Sequence, residues 1–365
     1  MTDIALCCIG SHSALDVAAG ARAQGLRSLV VTARGRERTY TQYFRRHAGP
    51  PQRGCVDEVI ELEEFAQILD ADVQSLLLER NAIFVPNRSF EVYLRQRYTY
   101  DEIERGMRVP FFGNRRLLRA EERDESDNQY ALLRRAGILH PLQFSAPEEI
   151  DRLVMVKAPH ARVTFERAFF LCSSPREYRE AAARLIDEGA LSEAGLASAV
   201  IEEYLLGPAI NLNFFYSPVL RELELLGTDM RRQTNLEGLR NVPPSAFDAV
   251  RTIPMRLEEA GHIAATMTES MLESAFAMGE AFVAAAREAM PPGVIGPFAL
   301  QCAIVAGPPK ALVCYDVSLR IPGSPGTRFT PYSSYRWHRD VSVGERIAME
   351  VVMARDAECL DAVCT

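Results

Sequence analysis

Two polar residues on neighbouring strand-like runs have the chemistry of a divalent-cation site. The segment 298–321, FALQCAIVAGPPKALVCYDVSLRI, contains two apolar runs separated by a Gly-Pro-Pro turn, which predicts an antiparallel hairpin. A turn centred between Pro308 and Pro309 places Gln301 directly opposite Asp316, on one face of the hairpin. A carboxylate beside an amide oxygen is a donor set that Mg²⁺ accepts while it keeps water and phosphate oxygens as other ligands. The alternatives are two ordinary polar positions on a strand, or a register shifted by one residue.

Lys157 is a candidate phosphate ligand. It ends the apolar run 153–156 and directly precedes Ala158 and Pro159, and a fixed ammonium at such a position suits a phosphate oxygen. The alternative is a lysine that extends its charge to solvent from a strand edge. Of the 41 lysine and arginine residues only Lys157 and Lys310 are lysine. In a chain that otherwise uses arginine, a lysine is expected where a guanidinium cannot replace a compact ammonium.

Two further positions have the chemistry to bind a nucleotide. Glu202 and Glu203 follow an apolar run, and their carboxylates can accept hydrogen bonds from ribose hydroxyls and an exocyclic amine; a solvated acidic turn is the alternative. His12 lies in the turn 10–13 before a predicted helix, where free backbone N–H groups bind anions, although the serines there can equally act as N-caps. The sequence contains no P-loop motif, so ATP is not held in that way.

The elements that position these residues alternate between strands and helices at the start of the chain. Apolar runs closed by glycine, serine or proline predict strands, and a period near 3.6 residues predicts helices. The predicted strands are 4–9, 28–32, 56–62 and 82–86, and the predicted helices are 14–24 and 65–80. This alternation predicts an α/β architecture with a doubly wound parallel sheet, and ligands bind beyond the carboxyl ends of such strands. The turns 10–12 and 86–89 follow two of those ends.

The rest of the chain carries a second set of strand and helix patterns. We predict a charged helix at 119–136, strands at 153–157, 165–172 and 199–205, a helix at 175–188, a loop over 243–268 and a helix at 269–290. The loop prediction follows from the Pro-Pro pair at its start and from the lack of an apolar period.

Composition excludes several classes of protein. A formal net charge of −8 does not supply the basic footprint of a general nucleic-acid-binding protein. No apolar run reaches the roughly 18 residues of a membrane span, and we expect no leader peptide. The six histidines form no zinc-type cluster and the eight cysteines form no C-x-x-C pair. We therefore expect a cytoplasmic protein that acts on small molecules, with no nucleic-acid or membrane partner.

Nine segments, in this order, resemble signatures of the ATP-grasp superfamily and, within it, of the archaeal-type 5-formaminoimidazole-4-carboxamide ribonucleotide synthetase family. They are 9–13, 84–90, 110–116, 201–207, 215–218, 234–239, 293–301, 315–321 and 344–348. The resemblance spans nearly the whole chain, and it is carried by the order of the segments rather than by a single motif.

The resemblance implies an ATP-grasp fold and a ligase reaction. The expected organisation is a Rossmann-like pre-ATP-grasp domain at 1–122, a small ATP-grasp subdomain at 123–208, and a C-terminal subdomain with the metal site at 209–365. The ATP-binding part is expected to be α+β. The implied reaction joins formate to the amine of 5-aminoimidazole-4-carboxamide ribonucleotide through formyl phosphate, and it converts ATP to ADP and phosphate. Relatives in this family form homo-oligomers, as trimers or hexamers.

Residue roles follow from the motifs that match the family. The nucleotide substrate is expected to contact His12, Ser89 and Asn235, ATP is expected to contact Lys157, Glu202 and Glu203, and Mg²⁺ or Mn²⁺ is expected to bind Gln301 and Asp316. His12 is also the candidate acceptor of the proton that the substrate amine loses.

Two departures from the family pattern indicate a divergent member. Many relatives carry a glycine-rich phosphate loop after the lysine, whereas 157–167 contains no glycine, and Arg162 and Arg167 are candidates to replace it by charge. Many relatives also carry Gly-Thr-Asn after the metal strand, whereas this chain has 322–328, PGSPGTR. The alternatives to the implied reaction are ligation of another small carboxylate to a related amine in specialised metabolism, and nucleotide binding without turnover.

Overall fold

The computed structural model describes residues 3–123, 125–158, 169–250, 253, 259–322 and 325–365, and their strands form three sheets. The first sheet is parallel, in the order β3-β2-β1-β4, and it confirms the predicted α/β architecture. Its strands are β1 (Ala5–Ile9), β2 (Arg27–Ala33), β3 (Glu58–Leu62) and β4 (Ala82–Phe84). Every residue of β1 is buried, as expected for a strand covered on both faces.

Helices flank this sheet, and one of them differs from the prediction. The α-helices are α1 (Ala14–Ala23), α2 (Ala71–Glu79), α3 (Arg88–Leu94) and α4 (Tyr100–Gly106). The single helix predicted over 65–80 is wrong, because a 3₁₀ turn at Phe65–Leu69 is followed by Asp70 with an extended ψ of 142° before α2 begins. The side chain of Gln74 fixes this break by donating to the carbonyl of Ile68 at 2.7 Å.

The second sheet is antiparallel, in the order β5-β8-β6-β7. Its strands are β5 (Gln143–Phe144), β6 (Val154–Lys157), β7 (Phe169–Cys172) and β8 (Val200–Glu203), and its helices are α6 (Pro175–Asp187) and α7 (Glu193–Ala197). Helix α5 (Gln129–Arg135) precedes them in the chain and packs in the core of the third sheet. Part of the strand predicted over 165–172, residues 165–168, lies outside the described residues.

The helix predicted over 119–136 is wrong. A 3₁₀ turn at Arg115–Glu121 ends there, and α5 begins only after Asn128, whose side chain accepts hydrogen bonds from the N–H groups of Tyr130 and Ala131. The carboxylate of Glu121 instead accepts the Leu319 N–H at 2.6 Å, a contact with a distant part of the chain. Tertiary contacts and a local cap therefore outweigh the helical period.

The third sheet is antiparallel, in the order β11-β10-β9-β12-β13. Its strands are β9 (Ala209–Ser217), β10 (Glu222–Gln233), β11 (Glu259–Ala264), β12 (Gly296–Val305) and β13 (Ala311–Ser318), and the helices of this part are α8 (Leu236–Arg240), α9 (Phe247–Val250), α10 (Leu272–Ala289), α11 (Tyr332–Trp337) and α12 (Val343–Asp356). Within the described residues, no helix is both long and apolar enough to span a membrane.

The loop predicted over 243–268 is wrong where β11 lies. This strand pairs with the edge of β10, from Asp229 opposite Ala264 to Gln233 opposite Glu259. Its sequence, EAGHIA, has no apolar alternation, and the pairing is made with a strand about 30 residues away. Helix α9 also lies inside the predicted loop, and residues 251–252 and 254–258 lie outside the described residues.

The C-terminal helix α12 packs on α1 and so joins the end of the chain to the first sheet. The backbones approach so closely that a Cβ on Gly20 would lie 2.3 Å from the carbonyl carbon of Gly344, which is why both positions require glycine. The N–H of Gly344 donates to the Asp16 carboxylate at 2.8 Å. One hydrophobic core contains Val17 from α1 and Ile347 from α12, so the first sheet and the C-terminal helix share it.

A buried ion-pair network holds α12 against the third sheet. The guanidinium of Arg346 is 0% exposed, and it donates to Glu224 on β10 at 2.7 Å and to Glu350 at 2.9 Å. It also lies 4.2 Å from the ring centre of Phe215, and the Trp337 indole N–H donates to Glu224 at 3.0 Å. Each charge therefore has a partner, which a buried charge needs in order to be tolerated.

We expect Arg346→Met to lower the free energy of unfolding by about 3–5 kcal/mol, because it leaves two buried carboxylates without their cation. Urea denaturation measures this loss. The control is Arg339→Gln, which removes an ion pair between Glu345 and an arginine that is 47% exposed, and it is expected to cost at most about 1 kcal/mol. Equal losses in the two variants would contradict a stabilising role for the Arg346 network.

Candidate functional site

The two post-strand turns of the first sheet meet at its carboxyl edge. Asn87, after β4, donates to the carbonyl of Ile9 at 2.9 Å, and the hydroxyls of Ser11 and Ser89 lie 2.6 Å apart. Asn87 also forms a β-bridge with Ile321, just beyond β13. Ser89 therefore lies where the first sheet meets the third.

His12 lies at the same edge in a cluster of charged groups, which we call the His12 cluster: His12, Glu259, His262, Arg88 and Arg231. Nε2 of His12 is 3.0 Å from Oε1 of Glu259, and Nε2 of His262 is 3.1 Å from the same oxygen. The other oxygen of Glu259 contacts the guanidinium of Arg88 and lies 3.6 Å from Nε of Arg231. Sequence reasoning missed Glu259 and His262 because it placed both in a loop.

The imidazole of His12 is held in its neutral form. Burial, together with the neighbouring His262 and the positive charges of Arg88, Arg320 and Arg231, lowers the pKa of His12 to about 4. At pH 7 the ring therefore carries one hydrogen and keeps one nitrogen lone pair, which is the form that can accept a proton.

Lys157 lies in a second cluster, between β6 and the hairpin of the third sheet. Its ammonium contacts the carboxylate of Glu202 and donates to the carbonyl of Tyr315 at 3.0 Å. The Tyr130 hydroxyl donates to the other oxygen of Glu202 at 2.6 Å. Burial lowers the pKa of Lys157, and the carboxylate of Glu202 opposes that shift. Two of the three residues expected to contact ATP, Lys157 and Glu202, are thus in direct contact with each other.

Glu203 lies apart from this cluster. On β8, Val200 is directly opposite Lys157 of β6, and Glu202 lies two residues along on the same face. Successive strand residues point to opposite faces, so Glu203 points away from Lys157. Its side chain is 34% exposed, and Oε1 lies 3.7 Å from Nη1 of Arg152.

The predicted pairing of Gln301 with Asp316 is confirmed, but a β-bulge produces it. The pairs nearest the turn run from Val305–Ala311 to Cys302–Cys314 and are centred on Pro308. The predicted centre lay half a residue further along, between Pro308 and Pro309. The register centred on Pro308 alone would place Tyr315 opposite Gln301. Instead Tyr315 is an extra residue, and the ladder resumes with Gln301 opposite Asp316. The bulge therefore turns Asp316 onto the face of Gln301, where Nε2 of Gln301 lies 3.4 Å from Oδ2 of Asp316.

Arg123 is a functional candidate that sequence reasoning missed. Its side chain is 2% exposed, and Nη2 donates to Oδ1 of Asp316 at 3.0 Å. Nε and Nη1 are buried, and neither has a hydrogen-bond partner within the described residues. Burial opposes the charge, but Asp316 holds the pKa of Arg123 above its ordinary value. A buried guanidinium whose Nε and Nη1 are not used by Asp316 is suited to binding an anion.

Arg231 connects the His12 cluster to the hairpin. Its Nη2 donates to Oε1 of Gln301 at 3.4 Å, while its Nε faces Glu259. Gln301 in turn contacts Asp316, and Asp316 contacts Arg123. The predicted substrate residue His12 and the predicted metal pair therefore belong to one continuous polar network.

Other predicted positions lie near this network or outside the described residues. Asn235 has a φ of 41° and lies two residues beyond β10, the strand that carries Arg231. The glycine-free stretch enters the described residues only at its start, because 159–168 are outside them. Residues 323–324 of the altered segment after β13 are also outside.

Comparison with known proteins gives two family models and a group of full-length relatives. Residues 6–144 match a protein of unknown function (DUF1246), and residues 177–365 match a domain of unknown function (DUF1297). Relatives named 5-formaminoimidazole-4-carboxamide-1-(beta)-D-ribofuranosyl 5'-monophosphate synthetase include one from Methanopyrus kandleri, 39% identical over 100% of this chain and 96% of the relative. Another, from Methanocaldococcus jannaschii, is 35% identical over 98% of this chain and 94% of the relative.

Solved structures agree with this relationship. The crystal structure of an IMP biosynthesis protein, PurP from Thermococcus kodakaraensis, is 29% identical with a TM-score of 0.72, covering 99% of this chain and 100% of that one. N5-carboxyaminoimidazole synthetase from Staphylococcus aureus shares the fold, with a TM-score of 0.55 at 11% identity over 93% of this chain and 77% of that one. The fold is the predicted ATP-grasp fold. Identities of 39% and 35% over the whole chain show that this protein belongs to the 5-formaminoimidazole-4-carboxamide ribonucleotide synthetase family.

Proposed function

We propose that this protein uses ATP to join formate to the amine of 5-aminoimidazole-4-carboxamide ribonucleotide, through formyl phosphate, and releases ADP and phosphate. Family membership supports the reaction. The observation that carries the proposal is the continuous network that links the neutral His12, through Arg231, to Gln301 and Asp316. A ligase of this kind needs its amine and its activated carboxylate side by side, and such a network places the two half-sites next to each other.

The chemistry explains why a phosphorylated intermediate is needed. Formate is a poor acyl donor because hydroxide or oxide is a poor leaving group, whereas phosphate leaves readily from an acyl phosphate. The chain supplies cations for that step. Lys157 and Arg123 are buried beside Asp316 and are positioned to bind phosphate oxygens, because a buried cation is a strong electrostatic partner for developing charge.

The residues that face each other across the hairpin fit a divalent cation. Asp316 and Gln301 offer two hard oxygen donors, a number typical of a Mg²⁺ that keeps water and phosphate ligands; Mn²⁺ accepts the same donors. Oε1 of Gln301 points to Arg231, so the amide must rotate for that oxygen to face Asp316. When bound there, the cation would neutralise charge on the nucleotide phosphates.

We assign Glu202 and Glu203 to ATP, and His12, Ser89 and Asn235 to the ribonucleotide. Arg88, Arg231 and Arg320 surround His12 with positive charge, which suits a phosphorylated substrate. The neutral His12 imidazole is also suited to accept a proton from the amine.

We also propose that the segments 1–122, 123–208 and 209–365 act as three functional units. Each of the three sheets lies within one of them, and the clusters described above lie where the sheets meet. Movement of the middle segment over the site would exclude water from a hydrolysable intermediate. We place the protein in the cytoplasm as a homo-oligomer that acts on small-molecule substrates, as its family resemblance implies.

One assay tests the proposed reaction directly. Incubation with ATP, Mg²⁺, formate and the aminoimidazole ribonucleotide is expected to give one formylated product for each ADP, detected by mass spectrometry. Omission of formate is expected to stop product formation. The assignment of formate would be contradicted by two results together: no formylated product when formate is supplied, and a different amide when acetate or another small carboxylate is supplied. ATP binding with no ADP under any combination would contradict turnover altogether.

We expect Lys157→Met to lower kcat/KM for ATP by about 10- to 100-fold, because one charge-assisted hydrogen bond to phosphate is worth about 1.5–3 kcal/mol. The matched control is Lys310→Met, since Lys310 is exposed in the hairpin turn and should leave kcat/KM unchanged. Thermal melting of both variants checks that loss of charge, rather than loss of folding, is the cause. Equal effects at the two lysines would refute the role of Lys157.

Asp316→Asn is nearly isosteric and is expected to reduce turnover by about 10²–10³-fold, because it removes the charge that holds the cation. A Mg²⁺ titration is expected to give half-maximal activity at a higher Mg²⁺ concentration in the variant, and a cooperative thermal transition checks that the variant is folded. Asp340→Asn, at an exposed position, serves as the control. A variant with full activity over the whole titration would rule out a metal site at Asp316.

A further inference from the structure

Both ring nitrogens of His12 have a defined partner. Nε2 lies 3.0 Å from the Glu259 carboxylate, and Nδ1 lies 3.1 Å from the hydroxyl oxygen of Ser13. An ionised carboxylate accepts hydrogen bonds and cannot donate them, so in the neutral ring Nε2 carries the hydrogen. Nδ1 is then the lone pair that receives the hydroxyl hydrogen of Ser13. The order of hydrogen bonds is Ser13 to His12 to Glu259.

The position of Ser13 is unusual for a residue at the start of a helix. It is the N-cap residue of α1, yet its side chain makes no capping hydrogen bond. Its φ of 69° and ψ of 2° lie in the left-handed region, which a serine rarely adopts. An N-cap serine ordinarily accepts a backbone N–H from the first turn. Here the backbone conformation instead directs the hydroxyl to His12.

Glu259 is held in place from several sides. Its Oε1 also faces Nε2 of His262, and the Nδ1 of His262 faces the Asp229 carboxylate. The other oxygen contacts Arg88 and faces Arg231. These partners lie on β10, β11 and the start of α3, so the carboxylate has little freedom to leave His12.

We propose that Ser13, His12 and Glu259 form a proton relay for the attacking amine, with Ser13 and His12 as catalytic residues and Glu259 as a positioning residue. The proposal rests on the proposed function. When the amine nitrogen bonds to the carbonyl carbon of formyl phosphate, the bond from that carbon to the phosphate oxygen breaks. One amine proton passes to Oγ of Ser13 as the proton of Ser13 passes to Nδ1 of His12. The proton then returns through Ser13 to the released phosphate, which leaves as hydrogen phosphate.

The charges around His12 explain why the relay needs Glu259. The imidazolium that forms during transfer faces positive charge from Arg88, Arg231 and Arg320, and among these groups Glu259 is the facing anion. Its carboxylate accepts the Nε2–H throughout and offsets that repulsion. His12, Glu259 and His262 are also the donor types of a transition-metal site, and metal analysis of the purified protein distinguishes that site from a relay.

Two products of one reaction mixture test the relay. With ATP, Mg²⁺, formate and the aminoimidazole ribonucleotide, ADP reports activation of formate and the formylated nucleotide reports attack by the amine. In Ser13→Ala and Glu259→Gln we expect the ratio of formylated nucleotide to ADP to fall by about 10²–10⁴-fold, which is the usual contribution of a general base. The ratio falls because formyl phosphate that the amine does not attack is hydrolysed by water. Continued ADP formation shows that each variant is folded. Glu269→Gln, at an exposed acidic position after β11, should keep the parental ratio.

The outcomes separate the two proposals. A parent chain that gives no formylated product overturns the proposed function, and the relay with it. A parent chain that gives product, with Ser13→Ala and Glu259→Gln at the parental ratio of product to ADP, overturns the relay alone. Product and ADP that fall together in Ser13→Ala would assign its hydroxyl to the structure or to ATP use instead. A stoichiometric transition metal in the purified protein, lost in Glu259→Gln, would replace the relay by a metal site.

Discussion

One extra residue in β13 sets the arrangement of the half of the site that we propose binds ATP. Without the bulge at Tyr315, the register of the turn would place that tyrosine opposite Gln301 and turn Asp316 to the other face. With the bulge, Asp316 lies beside Gln301 and Arg123, and the Tyr315 carbonyl accepts the ammonium of Lys157. A single backbone irregularity thus joins the metal-type pair to the buried lysine, across two different sheets.

The other half of the site depends on how charge is distributed around a neutral imidazole. His12 lies among basic groups that suit a phosphorylated ligand, and burial, together with these groups, lowers its pKa to about 4. Glu259 is the anion that makes this surplus of positive charge tolerable, and Arg231 extends from it to Gln301. The two halves are therefore electrostatically connected, and a change of charge at one of them is felt at the other. This connection suits a reaction in which two charged substrates must meet.

Sequence reasoning succeeded where chemistry and local pattern coincide. The hairpin of β12 and β13 was predictable because two apolar runs flank a short turn, and the first sheet was predictable from alternating strands and helices. Lys157 and Glu202 were each expected to contact ATP, and the structure brings these two strand ends together. The bulge itself was not predictable, because no feature of 311–318 marks Tyr315 as an extra residue. The correct pairing came from an incorrect turn centre.

The rest of the site depends on contacts between distant segments. Glu259 and His262 lie on β11, which forms only because β10 offers an edge, and EAGHIA has no strand pattern of its own. Arg123 was hidden in a predicted helix that Asn128 and the contacts of Glu121 interrupt. Glu203 was paired with Glu202 by adjacency, whereas a strand sends neighbours to opposite faces. Each miss reflects tertiary structure acting on a weak local signal.

In the reaction that we propose, ATP activates the carboxylate as an acyl phosphate before the amine attacks. Formate labelled with ¹⁸O in both oxygens tests this directly, because an acyl phosphate must give one of those oxygens to the phosphate it releases. We predict one ¹⁸O atom in each phosphate formed and one in each formyl group, measured by mass spectrometry. Phosphate without label, in a reaction that still yields formylated product, would contradict the account.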